Sequence, residues 1–298
     1  MFDRIQTHWQ THLATATNRR RLNLAVLVIP ATIWLFFFFV LPLLMVLLYS
    51  VLERGIYGGV NWQFTLSNYQ RLLNPIYWGV LGRSLWLALF TTVACLLIGY
   101  PLAFFIASRP PQWRNTLLLL VIIPFWTNFL VRIYAWIIIL RREGVINVLL
   151  SSLNLIDQPL DLLFNSFAVT IGLVYGYLPF MILPLYATIE RFDFSLLDAS
   201  QDLGANDLKT FVRIVLPLTL RGIVAGCLLV FIPAVGEFIT PDILGGAKTI
   251  MMGNLVQNQF LGARHWPFGS VLSIVMIVIV LIPILIYFRI ADEKLKAN

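Results

Sequence analysis

Six long apolar stretches leave this chain little choice of fold. They cover residues 22–49, 80–107, 116–140, 167–189, 218–240 and 268–290. Each reaches the roughly 20 residues that an α-helix needs to cross the hydrocarbon core of a bilayer. Inside that core every backbone N–H and C=O must be satisfied within the segment, so stretches of this length are read as helices. Composition agrees: with 59% hydrophobic and 12% charged residues, the chain is far too apolar for a soluble domain of its length. The expected class is all-α, a polytopic membrane protein with six transmembrane helices. Its parts are an N-terminal segment 1–21, a membrane domain 22–290 and a tail 291–298. In the first segment Phe2, Ile5, Trp9 and Leu13 fall on one helical face before Arg19, Arg20 and Arg21, the pattern of an interfacial helix or of a solvated tail. The first span is too long for a signal-peptide core, and it is expected to bend near Pro30 or Pro42.

The net charge of +7 is spread over the ends of the apolar stretches, with no basic cluster interleaved with aromatics, so nucleic acid is not an expected partner. The lipid bilayer is. Thirteen Lys and Arg flank the spans on one side and six on the other, which puts both termini and residues 195–217 in the cytoplasm. Three loops then face outward: 50–78, read as polar; 141–166, with a short apolar helix; and 241–267, with an amphipathic piece near 249–261. Cys95 and Cys227 lie in apolar stretches and imply neither a disulfide nor a metal site. His8, His12 and His265 form no ligand pattern.

Residues 195–217, SLLDASQDLGANDLKTFVRIVLP, form the longest polar run between spans. Ser195 with Asp198 three residues on has the spacing of a capping box. Gly204 suits the left-handed residue that ends a helix, and Asn206 and Asp207 suit the start of another. Pro217 limits how that second helix continues. The run is expected to make a helix–turn–helix knob at the membrane surface. By spacing alone it is either a well-capped solvated loop or a docking surface. Small residues at Ala199, Ser200, Gly204 and Ala205 favour close approach by another protein.

Glu237 is the most informative single charge, near the outer end of the fifth span. An acid at the bilayer centre costs about 2.5–3.5 kcal/mol on insertion scales, so such residues face a cavity or a partner. Two readings stay open for it: a carboxylate lining a cation path, or an interfacial acid, reaching water or paired with Arg83 or Arg132. Asp242 belongs to the following loop and extends the same acidic patch. Trp126, Asn128, Tyr134, Tyr175 and Tyr177 are candidate pathway residues, because aromatic faces attract organic cations. Packing between helices is the alternative for each. Arg132 requires a carboxylate, backbone carbonyls or water. Pro179 and Pro184 favour a bent fourth span with freed carbonyls.

The pattern Asp198-Ala199-Ser200, Gly204, Ile214 and Leu216-Pro217 resembles the cytoplasmic coupling loop of ABC importer permeases. That consensus is Glu-Ala-Ala, three residues, Gly, nine residues, Ile, one residue, Leu-Pro. The sequence departs from it at Asp198 and Ser200. Further segments resemble the permease subunits of bacterial spermidine/putrescine ABC importers: Pro124-Phe125-Trp126-Thr127-Asn128 with Arg132-Ile133-Tyr134, Ile171-Gly172-Leu173-Val174-Tyr175 with Leu178-Pro179-Phe180, Gly236-Glu237-Phe238, Gly245-Gly246-Ala247-Lys248 and Trp266-Pro267-Phe268-Gly269. The resemblance implies the type I ABC importer permease fold, with coupling helices between spans 4 and 5. It implies a non-enzymatic transport subunit of the bacterial inner membrane, moving spermidine or putrescine. The implied partners are a second homologous permease, two cytoplasmic ATPase subunits and an extracytoplasmic substrate-binding protein. No cofactor is expected in this chain, since ATP and Mg belong to the ATPase and no Gly-rich phosphate loop ending in Lys-Ser/Thr is present.

Other solutes of the same transporter class, such as iron, thiamine or a phosphonate, are the alternative cargo. A self-sufficient secondary transporter is disfavoured, because a proton-coupled carrier needs more buried acids or histidines than Glu237 supplies. An intramembrane protease needs a Ser/His pair or metal ligands within spans, and no histidine lies in one.

Overall fold

The structure, a computed structural model, describes residue 26 and residues 28–296. The segment 1–21 lies outside the described residues. Among the described residues five helices are long and apolar enough to span a bilayer: α1 (Val28–Ser50), α3 (Pro75–Ala107), α7 (Ser166–Ile189), α9 (Asp207–Gly236) and α12, which spans at Trp266–Leu285 and runs on to Lys296. The expected third span is not one helix. It is α4 (Pro111–Trp126) followed by the stretch Phe129–Ser152, which opens with α5 (Phe129–Leu140); the two are bent by 88° and pass the same test only as a pair. The continuous apolar stretch hides the break. Pro124 supplies no N–H to the last turn of α4, Thr127 is extended with its hydroxyl donating to the Pro124 carbonyl at 2.7 Å, and Asn128 caps α5 by accepting from Leu130 N–H at 2.9 Å.

Helix starts follow local chemistry. Asn74 accepts from Ile76 N–H and Pro75 opens α3, so the second span begins earlier than the apolar count suggests. With 33 residues α3 is roughly 50 Å long, longer than a hydrocarbon core of about 30 Å, and its ends therefore stand at the interfaces. Asn165 accepts from Ala168 N–H and opens α7. His265 Nδ1 accepts from Phe268 N–H at 3.2 Å at the start of α12. Burial, and then the nearby Arg71 and Arg54, pushes the His265 pKa down, which keeps Nδ1 an acceptor. In α1 a π turn at Phe36–Val40 precedes Pro42.

The loops expected to face outward carry more structure than a polar loop. Residues 50–78 hold an antiparallel pair, β1 (Leu52–Arg54) and β2 (Val60–Phe64), followed by α2 (Ser67–Leu72). This pair is the only sheet among the described residues. Gly59 N–H and the Arg54 guanidinium donate to the Arg264 and Ala263 carbonyls at 2.8 and 2.9 Å, tying the hairpin to the loop before α12. The expected short helix is α6 (Val145–Ser152). The loop after α9 holds α10 (Ile239–Gly245) and α11 (Met252–Gln257), the latter continuing as a π turn over Asn258–Gly262.

The centre is the trio α3, α7 and α9. Tyr100, Ala103, Ile106 and Ala107 of α3 pack on Met181, Ile182, Leu185 and Ile189 of α7 and Val230 of α9. Between helices in lipid, close van der Waals packing is the main attraction and small residues permit it. A Cβ at Gly222 would sit 2.8 Å from Thr188 Cβ and 3.0 Å from the Pro184 carbonyl oxygen, so α9 approaches α7 there more closely than a side chain comfortably allows. By contrast α1 lies outside the trio against α12, with Phe36, Phe37, Phe38 and Phe39 exposed, as befits a face toward lipid.

Candidate functional site

Glu237 occupies a kink. Pro233 lies in the last turns of α9, the helix ends at Gly236, and Glu237 takes an extended conformation before α10 begins. Its half-buried carboxylate is held from two sides: Oε2 accepts from the Tyr177 hydroxyl at 2.7 Å, and Oε1 accepts from Ile239 and Thr240 N–H at 3.0 and 3.2 Å. Glu237 thus caps α10 from two residues upstream, satisfying N–H groups that the helix cannot pair internally. Neither Arg83 nor Arg132 forms an ion pair with it; the described salt bridges are Arg114–Glu190 and Arg142–Asp161. The Arg132 guanidinium instead lies over the Phe125 and Phe129 rings at 5.0 and 5.6 Å, in cation–π contact on both sides of the α4–α5 bend.

The kink is also pressed from below. A Cβ at Gly253 would meet the Gly236 and Glu237 carbonyl oxygens at 2.5 and 2.6 Å. Both are backbone atoms, so no side chain can swing away. Gly253→Ala is therefore expected to shift the Glu237 backbone and to destabilise the membrane domain by about 1–3 kcal/mol, the usual cost of overpacking. A melting curve of the purified chain would read this as a lowered Tm, and an unchanged Tm would contradict the contact.

The seven proposed pathway residues do not converge. Tyr177 joins Glu237. Tyr175, two residues away and so on the opposite side of α7, packs edge-on against Trp136 at 5.7 Å. There, with Arg83, Trp86 and Phe90, it lines a cleft of about 820 Å³ on the flank of α3. Trp126 and Tyr134 are exposed, and Asn128 serves as a cap. Asp242 is not in a loop but inside α10, where it is exposed. The sequence reading missed Asn254, which braces the kink by donating to the Phe238 carbonyl at 2.6 Å while its own oxygen accepts from Met251 N–H. The available signal was an asparagine inside the amphipathic piece expected near 249–261.

On the other face the polar run forms α8 (Ser195–Asp202) and the first turns of α9. The expected capping box is absent, because the chain turns one residue earlier. Asp193, not Ser195, supplies the cap, its Oδ1 accepting from Ser195 N–H at 3.0 Å. The Ser195 hydroxyl and N–H hold the Asp193 carboxyl below its usual range. Gly204 has φ +78, the left-handed residue expected there, and Asn206 accepts from Lys209 N–H at 2.9 Å. The second short helix, however, does not stop. It continues through a π turn at Phe211–Val215 into the fifth span, with Pro217 in the first turn beyond that bulge, where its missing N–H is tolerated.

Asp198, Ala199 and Gly204 are exposed, whereas Ser200 faces inward and shares a 2.7 Å hydrogen bond with Thr210. That bond braces α8 against α9 and gives the serine a use that alanine would not have. Ala205, Ile214 and Leu216 are half-buried and Pro217 is exposed. Among the described residues no three His, Cys, Asp or Glu are arranged to hold a metal.

Three comparisons bear on this geometry. The pattern of binding-protein-dependent transport system inner membrane components matches residues 99–295. The chain is 49% identical over 256 residues to the spermidine/putrescine transport system permease protein PotB of Escherichia coli (strain K12), covering 86% of this chain and 93% of that protein. To the permease protein of the same description in Haemophilus influenzae it is 46% identical, over 86% of this chain and 90% of that one. In fold it is similar, at TM-score 0.69 and 17% identity, to a chain of a bacterial alginate ABC transporter crystallised with an alginate pentasaccharide-bound periplasmic protein; the match covers 90% of this chain and 93% of that one.

Proposed function

This chain belongs to the family of binding-protein-dependent transport system inner membrane components, and we propose that it is the permease subunit through which an ATP-driven importer carries spermidine and putrescine inward. It is a multi-pass inner-membrane transport subunit of the type I ABC importer permease fold, not an enzyme. The observation that carries the polyamine assignment is identity near one half, across most of the chain, to permeases named for those two solutes.

The finer assembly follows from the same reading. A second homologous permease completes the pathway, two cytoplasmic ATPase subunits bind ATP and Mg, and an extracytoplasmic binding protein delivers the cargo. Both termini and α8 face the cytoplasm, as the distribution of basic residues favours. Asp198, Ala199, Ser200, Gly204, Ala205, Ile214, Leu216 and Pro217 make up the coupling knob, in which the exposed residues meet the ATPase and Ser200 stiffens the turn behind them. Because α8 is braced to the start of α9, a push on the knob travels along one continuous helix to the Glu237 kink. Glu237 and Tyr177 form the inner cation station, and a polyamine ammonium replaces the tyrosine hydroxyl as a partner of Oε2. Asp242, Trp126, Asn128, Tyr134 and Tyr175 are the further pathway candidates.

ATP hydrolysis by the assembled complex tests the reading. Spermidine-loaded binding protein is expected to raise the rate well above that with empty binding protein. Equal rates with the two would count against a polyamine importer.

A further inference from the structure

Beyond the kink, the outer loop builds a second polar site. A pocket of about 520 Å³ opens between α10 and the α11 turn, with Asp242, Thr249, Asn254, Gln257 and Asn258 among its lining residues. Among the described residues no lysine, arginine or histidine lines it. The Asp242 carboxylate accepts no hydrogen bond and joins no ion pair among the described residues, and neither the Gln257 nor the Asn258 side-chain carbonyl is engaged by a donor within the pocket. Asp242 lies early in α10, where an acid ordinarily serves the helix start. That task is already done by Glu237, whose Oε1 takes the Ile239 and Thr240 N–H groups. What remains at Asp242 is an unpaired negative charge beside neutral oxygen acceptors, in a concave wall open to the outer side. Ammonium groups carry donors and no acceptor, so this lining complements them and repels anions.

We infer that the α10–α11 pocket, with Asp242 as its charge, receives a primary ammonium group of the incoming cargo before that cargo reaches Glu237. The inference rests on the polyamine reading above and adds a site to it. One short helix links both stations, with Glu237 capping its start from two residues upstream and Asp242 inside it. A cation with several ammonium groups can hold one while the next is handed inward, so it is never fully stripped of partners in the low-dielectric part of the path.

The test uses the assembled complex with Leu261→Cys as reporter, since Leu261 is exposed at the pocket rim. A neutral maleimide labels that thiol, and the complex without the substitution gives the background from Cys95 and Cys227. Spermidine is expected to slow labelling, whereas sodium at equal ionic strength is not. Adding Asp242→Asn is expected to raise the half-protecting spermidine concentration about tenfold, the loss of one charge-assisted contact, and Asp242→Glu to restore most of it. ATP-driven spermidine uptake is measured on the same preparations. Labelling indifferent to spermidine, or protection indifferent to Asp242→Asn, alongside normal uptake overturns the pocket and leaves the polyamine reading standing. Absence of polyamine uptake from a well-assembled complex overturns that reading, and this inference with it.

Discussion

Glu237→Gln is expected to cut polyamine uptake per assembled complex by tenfold or more while leaving insertion and assembly close to wild type. The amide keeps the side chain's length, and its oxygen can still accept from Ile239 and Thr240 N–H, so the cap on α10 survives. The Tyr177 hydroxyl can turn and accept from the new NH₂ group in place of donating to Oε2. Only the charge is lost. A hydrogen bond to a charged group contributes about 1.5–3 kcal/mol, and each 1.4 kcal/mol is a factor of ten. Glu237→Ala is a different experiment: it removes the cap as well, at about 1 kcal/mol, and should lower the melting temperature. If Glu237 served only the fold, the alanine variant would lose stability and the glutamine variant would transport normally. Turnover per complex, yield and Tm measured together separate the two cases.

The second large effect belongs to the opposite face of the membrane. Gly204→Asp is expected to abolish association with the ATPase, or uptake, in a chain that still folds. A Cβ at Gly204 meets nothing within 4 Å, so the substitution causes no clash inside the subunit. Its internal cost is the left-handed backbone at φ +78, about 1–2 kcal/mol for a residue with a Cβ. Gly204→Ala carries that backbone cost without the charge and without most of the bulk, so it should retain much of the association. A graded loss of association from Gly to Ala to Asp, with the same modest fall in Tm for both variants, identifies a contact surface. Co-purification of the ATPase at wild-type levels with Gly204→Asp would remove the docking role.

Much of this was legible because lipid constrains sequence so strongly. A helix in hydrocarbon must be apolar along its length, so the spans could be counted. Turn chemistry was legible where one residue type does one job, as with Gly204 and Asn206. The α4–α5 bend was not, since Pro124 and Asn128 interrupt the backbone without interrupting the apolar stretch. Nor was the fate of Pro217, which a π turn absorbs into a continuous helix. Partners of charges were the least legible. Glu237 has no guanidinium at all but a tyrosine 60 residues away and two backbone donors close by. Arg132 settled over two phenylalanines where an acid or a carbonyl was sought. The Tyr177 bond depends on how α7 packs against α9, and the Arg132 contacts depend on the α4–α5 bend; apolar spacing encodes neither.

ATP-driven accumulation of labelled spermidine in proteoliposomes tests the central claim most directly. The vesicles hold this chain with the second permease and ATPase subunits proposed for it, and receive loaded binding protein from outside. Spermidine and putrescine are expected to accumulate only with ATP, a neutral solute of similar size is expected not to, and Glu237→Gln is expected to lose most of the spermidine signal. An assembled complex that accumulates a different solute and leaves both polyamines outside would contradict the account.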